Sequence, residues 1–122
     1  MIHGVSLEQA RHALAAATQP FTEVFRRGTF SAELYAPRGQ DFQTPHLKDE
    51  VYLVISGSGT YFCEGERRPF GPGDLLFAAA GQEHHFENFS DDFAVWVIFY
   101  GPDGGEKPGL RVVLGEQHQE TT

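Results

Sequence analysis

The sequence predicts an all-β fold, a sandwich or barrel led by one short helix, and three observations carry that expectation. Phe occurs 11 times in 122 residues, and bulky rings favour pleated, half-buried strands over helices. From Phe21 onward, short apolar runs recur between glycines and prolines, of which the chain has 14 and 7; such punctuation marks turns. The runs are FTEVFRRG, TFSAELYAP, EVYLVISG, GTYFCEGE, GDLLFAAAG, HHFENFS and DFAVWVIFYG, and seven or eight strands packed into roughly 80 residues imply two sheets or a closed one.

The first 20 residues read as a helical extension. Ser6 and Gln9 have capping-box spacing, Glu8 sits near the positive end of the helix dipole, and Leu7, Ala10 and Leu14 recur at helical spacing. The helix is expected over about 6–17 and is stopped by Pro20. Residues 21–101 form the barrel. Within it, EVYLVIS places Glu50, Tyr52 and Val54 on one face and Val51, Leu53 and Ile55 on the other, and Phe93 to Tyr100 is likewise apolar on both faces. A sheet apolar on both sides needs cover from the helix or from a second subunit, and a homodimer is expected. GSG at Gly57–Gly59 reads as a hairpin turn. Residues 102–122 form a C-terminal extension: PDGGEKPG has the composition of a mobile linker, Leu110–Leu114 is a candidate strand, and the polar remainder is expected to fray.

Composition narrows the function classes. A formal net charge of −8 and a pI near 5.1 disfavour nucleic acid and anionic membranes as partners. Cys63 is the single cysteine, which fits a reducing cytoplasm. The N-terminus carries Glu8 and Arg11 where a secretory signal needs an apolar stretch. The longest apolar run, Phe93–Tyr100, is far short of the roughly 20 residues of a membrane-spanning helix.

The chemistry concentrates in TPHLKDEVYLVISGSG and in GDLLFAAAGQEHHFENFS. His46 and Glu50 are an imidazole and a carboxylate, the donors that suit divalent first-row ions such as iron, manganese, nickel or zinc. Four steps along a straight strand would hold them about 13 Å apart, so the chain has to bend at Leu47–Asp49. In the alternation from His84 to Asn88, His84, Phe86 and Asn88 face inward and His85 and Glu87 outward. His46, Glu50 and His84 together would make two imidazoles and one carboxylate, the facial set that leaves positions open for oxygen or substrate. The plainer reading of His46 and Glu50 is a solvated turn before a strand. Against it, Glu50 shares a face with Tyr52 and Val54, and a buried carboxylate needs a partner.

These residues resemble the two motifs of the cupins. His46, Glu50 and Gly57 match the first, while Gly73, Gly81, His84 and Asn88 match the second, with Ser58–Pro72 between them. Three positions depart: Thr44 stands where the family has a further histidine, Gly39 lies one residue closer than the pattern asks, and Ala79 replaces a proline. The resemblance implies an antiparallel jelly-roll barrel with a metal held inside by His46, Glu50 and His84, and a small-molecule ligand. Cupins include dioxygenases, isomerases, decarboxylases and binding proteins, so fold does not choose among them.

No general acid or base outside the ligand set stands out, which leaves a dioxygenase-like enzyme, a non-catalytic binding or sensing barrel, or a metal-free structural module. Tyr52 and Phe86, each on a ligand face, are the expected substrate-pocket residues. Arg26, Arg27 and Arg38 are candidates for recognising an anionic group, or are simply solvated. Asn88 is read as a turn residue and Cys63 as a small buried filler.

Overall fold

The computed structural model describes residues 3–115. Helix α1, Leu7–Ala15, opens on the capping box: the Ser6 hydroxyl accepts from the Gln9 backbone N–H at 3.0 Å, and the Gln9 side chain accepts from the Ser6 N–H at 2.9 Å. It closes at the Ala16 C-cap, slightly before the expected end. Eight strands follow: β1 Phe21–Arg27, β2 Phe30–Tyr35, β3 Asp49–Ser56, β4 Gly59–Cys63, β5 Glu66–Phe70, β6 Leu75–Ala78, β7 His84–Glu87 and β8 Ala94–Tyr100.

They form two antiparallel sheets, ordered β1-β2-β8-β3-β6 and β5-β4-β7. This is the expected jelly-roll. The GSG segment proves not to be a hairpin turn, because β3 belongs to the larger sheet and β4 to the smaller. Strand β5 was not legible in the sequence: ERRPF is charged and carries Pro69, which a sheet tolerates at an edge, and an edge is where β5 lies.

Between the sheets lies a core in which Tyr35, Tyr52, Val54, Leu76, Val95 and Val97 of the larger sheet meet Tyr61, Phe70 and Phe86, with Phe93 at its centre. Phe93 packs its ring against Phe70, Phe86 and Phe89 at 4.8–5.3 Å. The outer face of the larger sheet is covered in part by α1, where Ala10, Leu34, Ala36 and Ala94 are buried together and Ile55 and Trp96 pack beside them. Phe25, Phe30, Leu53 and Leu75 on that sheet stay exposed.

No strand forms at Leu110–Leu114; Leu110, Val112 and Leu114 are exposed and have no sheet partner among the described residues. The frayed end expected beyond Gly115 lies outside the described residues. The start of the glycine-rich linker is tied down, contrary to its composition. Asp49, 4% exposed, accepts from the Glu106 N–H at 2.8 Å, the Leu47 carbonyl accepts from the Gly104 N–H at 2.7 Å, and the Lys48 ammonium donates to the Gly101 carbonyl and to Asp103.

Candidate metal centre and its cavity

The bend required between His46 and Glu50 is present, and neighbouring segments hold it. The His46 carbonyl accepts from the Gly81 N–H at 2.7 Å, the Leu47 carbonyl accepts from Gly104, and the Asp49 carboxylate accepts from the Ala80 N–H at 2.9 Å. His46 therefore lies in the loop before β3. From there its Nε2 comes within 3.9 Å of Glu50 Oε1. Glu50 stands on the inner face of β3, opposite Phe99 and Ala78. His84 opens β7 on the other sheet and reaches across, so that its Nε2 contacts Glu50 Oε1. One donor atom from each of the three residues lies within 4.8 Å of the others. Two donors on one ion at about 2.1 Å each can stand about 4.2 Å apart, and His46, half exposed on its loop, has room to close the difference.

The electrostatics of this cluster are unbalanced in a way that a cation corrects. His84 Nδ1 lies 2.8 Å from the Gln82 carbonyl, which can only accept, so Nδ1 carries the proton and Nε2 presents a lone pair. That lone pair faces a carboxylate. The contact is not aligned as a hydrogen bond, and both His84 Nε2 and Glu50 Oε2 are buried without a hydrogen-bond partner among the described residues. Buried unsatisfied groups of this kind are costly and rare. Burial lowers the His84 pKa, but the Glu50 carboxylate and the Gln82 carbonyl outweigh it, and the net shift is upward. A proton or a metal ion would satisfy the same lone pair. An imidazole whose second nitrogen is fixed by a carbonyl is the usual form of a metal-ligating histidine, so the residues fit a divalent metal.

Around this cluster runs a hydrogen-bonded chain that sequence reasoning missed. The Tyr52 hydroxyl lies 2.9 Å from Glu50 Oε1 and 2.9 Å from Gln43 Oε1, with one proton to give to two acceptors. Burial, then the negative charge of Glu50, pushes the Tyr52 pKa well up, so it remains a donor. Gln43 donates to Asp41 Oδ2 at 2.7 Å; Asp41 also accepts from Tyr35 and from the Phe86 N–H on the open edge of β7. Asp41 and Gln43 lie in the irregular segment 36–48, where no periodicity marks an inward side chain.

A cavity of about 980 Å³ opens beside the cluster, lined among others by Glu33, Tyr35, Gln43, His46, Val97 and Phe99. Tyr52 and Phe86, expected to line a pocket, are not among its lining residues. They are 0% and 2% exposed and belong to the core, with their rings 4.9 Å apart. Thr44 lines the cavity. Arg26 is engaged by Glu23, and Arg38 donates to the carbonyls of Ala36, Pro37 and Phe93. Asn88 is exposed with φ of 50° just past β7, so it turns the chain rather than facing inward. His85 pairs with Glu87. Cys63 is half buried, and burial raises its pKa.

Among the described residues no helix is long and apolar enough to cross a membrane. An uncharacterized protein of Streptomyces coelicolor is 31% identical over 99 residues, spanning 80% of this chain and 94% of that one. Two solved structures share the fold. A Cupin 2 conserved barrel domain protein from Salinispora arenicola has a TM-score of 0.57 at 20% identity, covering 66% of this chain and 74% of that one. Protein NMB1881 from Neisseria meningitidis has a TM-score of 0.62 at 18% identity, covering 81% and 100%. The cupin domain model matches residues 33–100, a span that runs from β2 through both halves of the His46, Glu50 and His84 cluster to the end of β8. With the two-sheet topology and that match in agreement, the chain belongs to the cupin family.

Proposed function

We propose that this chain is a metal-dependent cupin that acts on a small molecule, with His46, Glu50 and His84 holding one divalent ion and the adjoining cavity receiving the substrate. The observation that carries this reading is the pair of buried atoms, Glu50 Oε2 and His84 Nε2, that lack hydrogen-bond partners beside a third donor, His46. When bound, the ion supplies Lewis acidity, or oxygen activation of the dioxygenase kind if it is iron. The chain's residues orient and enclose. The Gln82 carbonyl fixes the His84 tautomer, Tyr52 donates toward Glu50, and Phe99, its ring 5.1 Å from that of His46, excludes water from one side. Thr44, in place of an imidazole, lines the cavity and would leave that side of a bound ion to substrate.

Iron, manganese, nickel or zinc added to metal-free protein is expected to raise the melting temperature, by the equivalent of about 2.7 kcal/mol at a hundredfold excess over Kd. The raised His84 pKa sets the pH dependence. In the metal-free protein its proton contributes stability that is complete below the unfolded value of about 6.5 and is lost as pH rises through the folded value. Metal competes for that nitrogen, so the metal-induced shift should grow as pH rises toward the folded value and level off above it. A melting temperature indifferent to all four ions would remove the metal. Stabilisation by metal and by small molecules without any product would make the protein a binding or sensing barrel.

The exposed apolar side chains Phe25, Phe30 and Leu53 on the outer sheet face support the homodimer. Sedimentation equilibrium should give twice the 13.6 kDa of one chain; a mass equal to one chain rejects it.

A further inference from the structure

Among the described residues, Glu33 is the charged side chain on the cavity wall that makes no hydrogen bond or ion pair. It stands on β2 directly across from Val97 of β8, which stands across from Tyr52 of β3; the next row along is Ser31, Phe99 and Glu50. Residues opposed in an antiparallel ladder share a face, so Glu33 projects to the side of the sheet on which Glu50 projects. Two strand spacings and one two-residue step along the strand, roughly 12 Å, separate their backbones. That gap is the width of a small molecule.

The surroundings narrow what the carboxylate can serve. Both Arg and Lys side chains on the cavity wall are engaged, Arg26 with Glu23 at 2.7 Å and Lys48 with Asp103 at 3.1 Å, so among the described residues the wall offers no unpaired Arg or Lys for an anionic substrate. Facing Glu33 are Glu23 and Arg26 from β1, Tyr35 farther along β2, and Glu50 and His46 across the sheet, while β8 contributes only Val97 and Phe99. Burial, then the charges of Glu23 and Glu50, hold its carboxyl above the ordinary carboxylate range, toward the pH at which an acid–base group works best.

We propose that Glu33 is the proton-transfer residue of the cavity, acting on a neutral small molecule that carries a hydroxyl beside a carbonyl. The assignment rests on the metal reading above. An ion held by His46, Glu50 and His84 would polarise the carbonyl, and Glu33, on β2 of the same sheet face, would be the carboxylate that meets the hydrogen of the hydroxyl-bearing carbon. A Glu33 oxygen forms a bond to that hydrogen as the C–H bond breaks, and the electron pair moves onto the carbonyl oxygen to give an enediolate. The carboxylic acid so formed returns a proton to carbon, so no oxidant or reductant is consumed. This places the chemistry with isomerisation and elimination rather than with oxygen activation.

Zinc-loaded protein incubated with dihydroxyacetone in deuterium oxide tests the proposal by proton NMR. The wild-type chain should wash out the carbon-bound hydrogens, and Glu33→Gln should slow this by about a hundredfold or more with its zinc content unchanged. Glu33→Asp, which keeps a carboxylate, should recover part of the rate. Carbon NMR with labelled glutamate carboxyls gives a second readout: the resonance missing from Glu33→Gln should titrate above the ordinary range in the metal-free protein. Equal exchange in wild type and Glu33→Gln, or wild-type exchange no faster than with free zinc, overturns the role of Glu33 while leaving the metal reading intact. Failure of the wild-type protein to hold zinc overturns both.

Discussion

At a pH where His84 is neutral, Glu50→Gln is expected to weaken metal binding by more than about a hundredfold while leaving the metal-free protein at least as stable as the parent. Loss of a group that merely orients a ligand already costs about 10- to 100-fold in affinity, and here an anionic ligand is replaced by a neutral amide at the centre of the cluster. The stability argument runs the other way. Glu50 is 1% exposed, with one oxygen unpaired and the other against the lone pair of His84, and a buried charge in that state is paid for by the rest of the fold. An amide nitrogen in the place of Oε1 donates to His84 Nε2, and Tyr52 then gives its proton to Gln43. Groups arranged for function commonly oppose stability in this way. Calorimetric titration with zinc, and melting in the presence of a chelator, measure the two halves separately. A variant that binds within tenfold of wild type, or that melts well below it without metal, would show that Glu50 is a structural residue.

Gly57→Ala should be the most damaging single change to the fold. Gly57 has φ of 83°, and an added Cβ would sit 2.6 Å from Phe93 Cα, 2.8 Å from Phe93 N and 2.7 Å from Ser90 Oγ. Two of those neighbours are backbone and cannot swing away, and Phe93 is the fully buried ring at the core's centre. The left-handed backbone costs about 1–2 kcal/mol and overpacking about 1–3 more, so a loss of about 3 kcal/mol is expected, lowering the melting temperature by roughly 10 °C or more. Gly73→Ala is the control. Its φ is 87° but nothing lies within 4 Å of the added carbon, so only the backbone cost of about 1–2 kcal/mol applies. Chemical denaturation of both variants decides; similar losses would mean that the contact with Phe93 is not what fixes Gly57.

The two glycines illustrate what the sequence could and could not reveal. Both match the family's motifs, yet one is held by packing and the other only by its backbone angle, a difference that depends on Phe93, distant in sequence. The convergence of His46, Glu50 and His84 was legible because donor chemistry and spacing are local, and the bend between the first two followed from strand geometry alone. Asp41 and Gln43 were not, because no period singles out an inward side chain in an irregular loop. Glu33 does alternate inward with Ser31 and Tyr35, but only the registry of β2 against β8 and β3 brings it to the wall that carries Glu50. Tyr52 and Phe86 were placed on the correct face and given the wrong depth: large rings in so small a barrel fill the core before they line a cavity. The glycine-rich segment after β8 reads as free chain until the buried carboxylate of Asp49 supplies it with a partner.

Anomalous diffraction from crystals of the zinc-reconstituted protein tests the central claim most directly. One peak per chain is expected, about 2.0–2.2 Å from His46 Nε2, His84 Nε2 and a Glu50 carboxylate oxygen. Crystals grown in excess zinc that show these side chains turned apart, with no anomalous density between them, would contradict it.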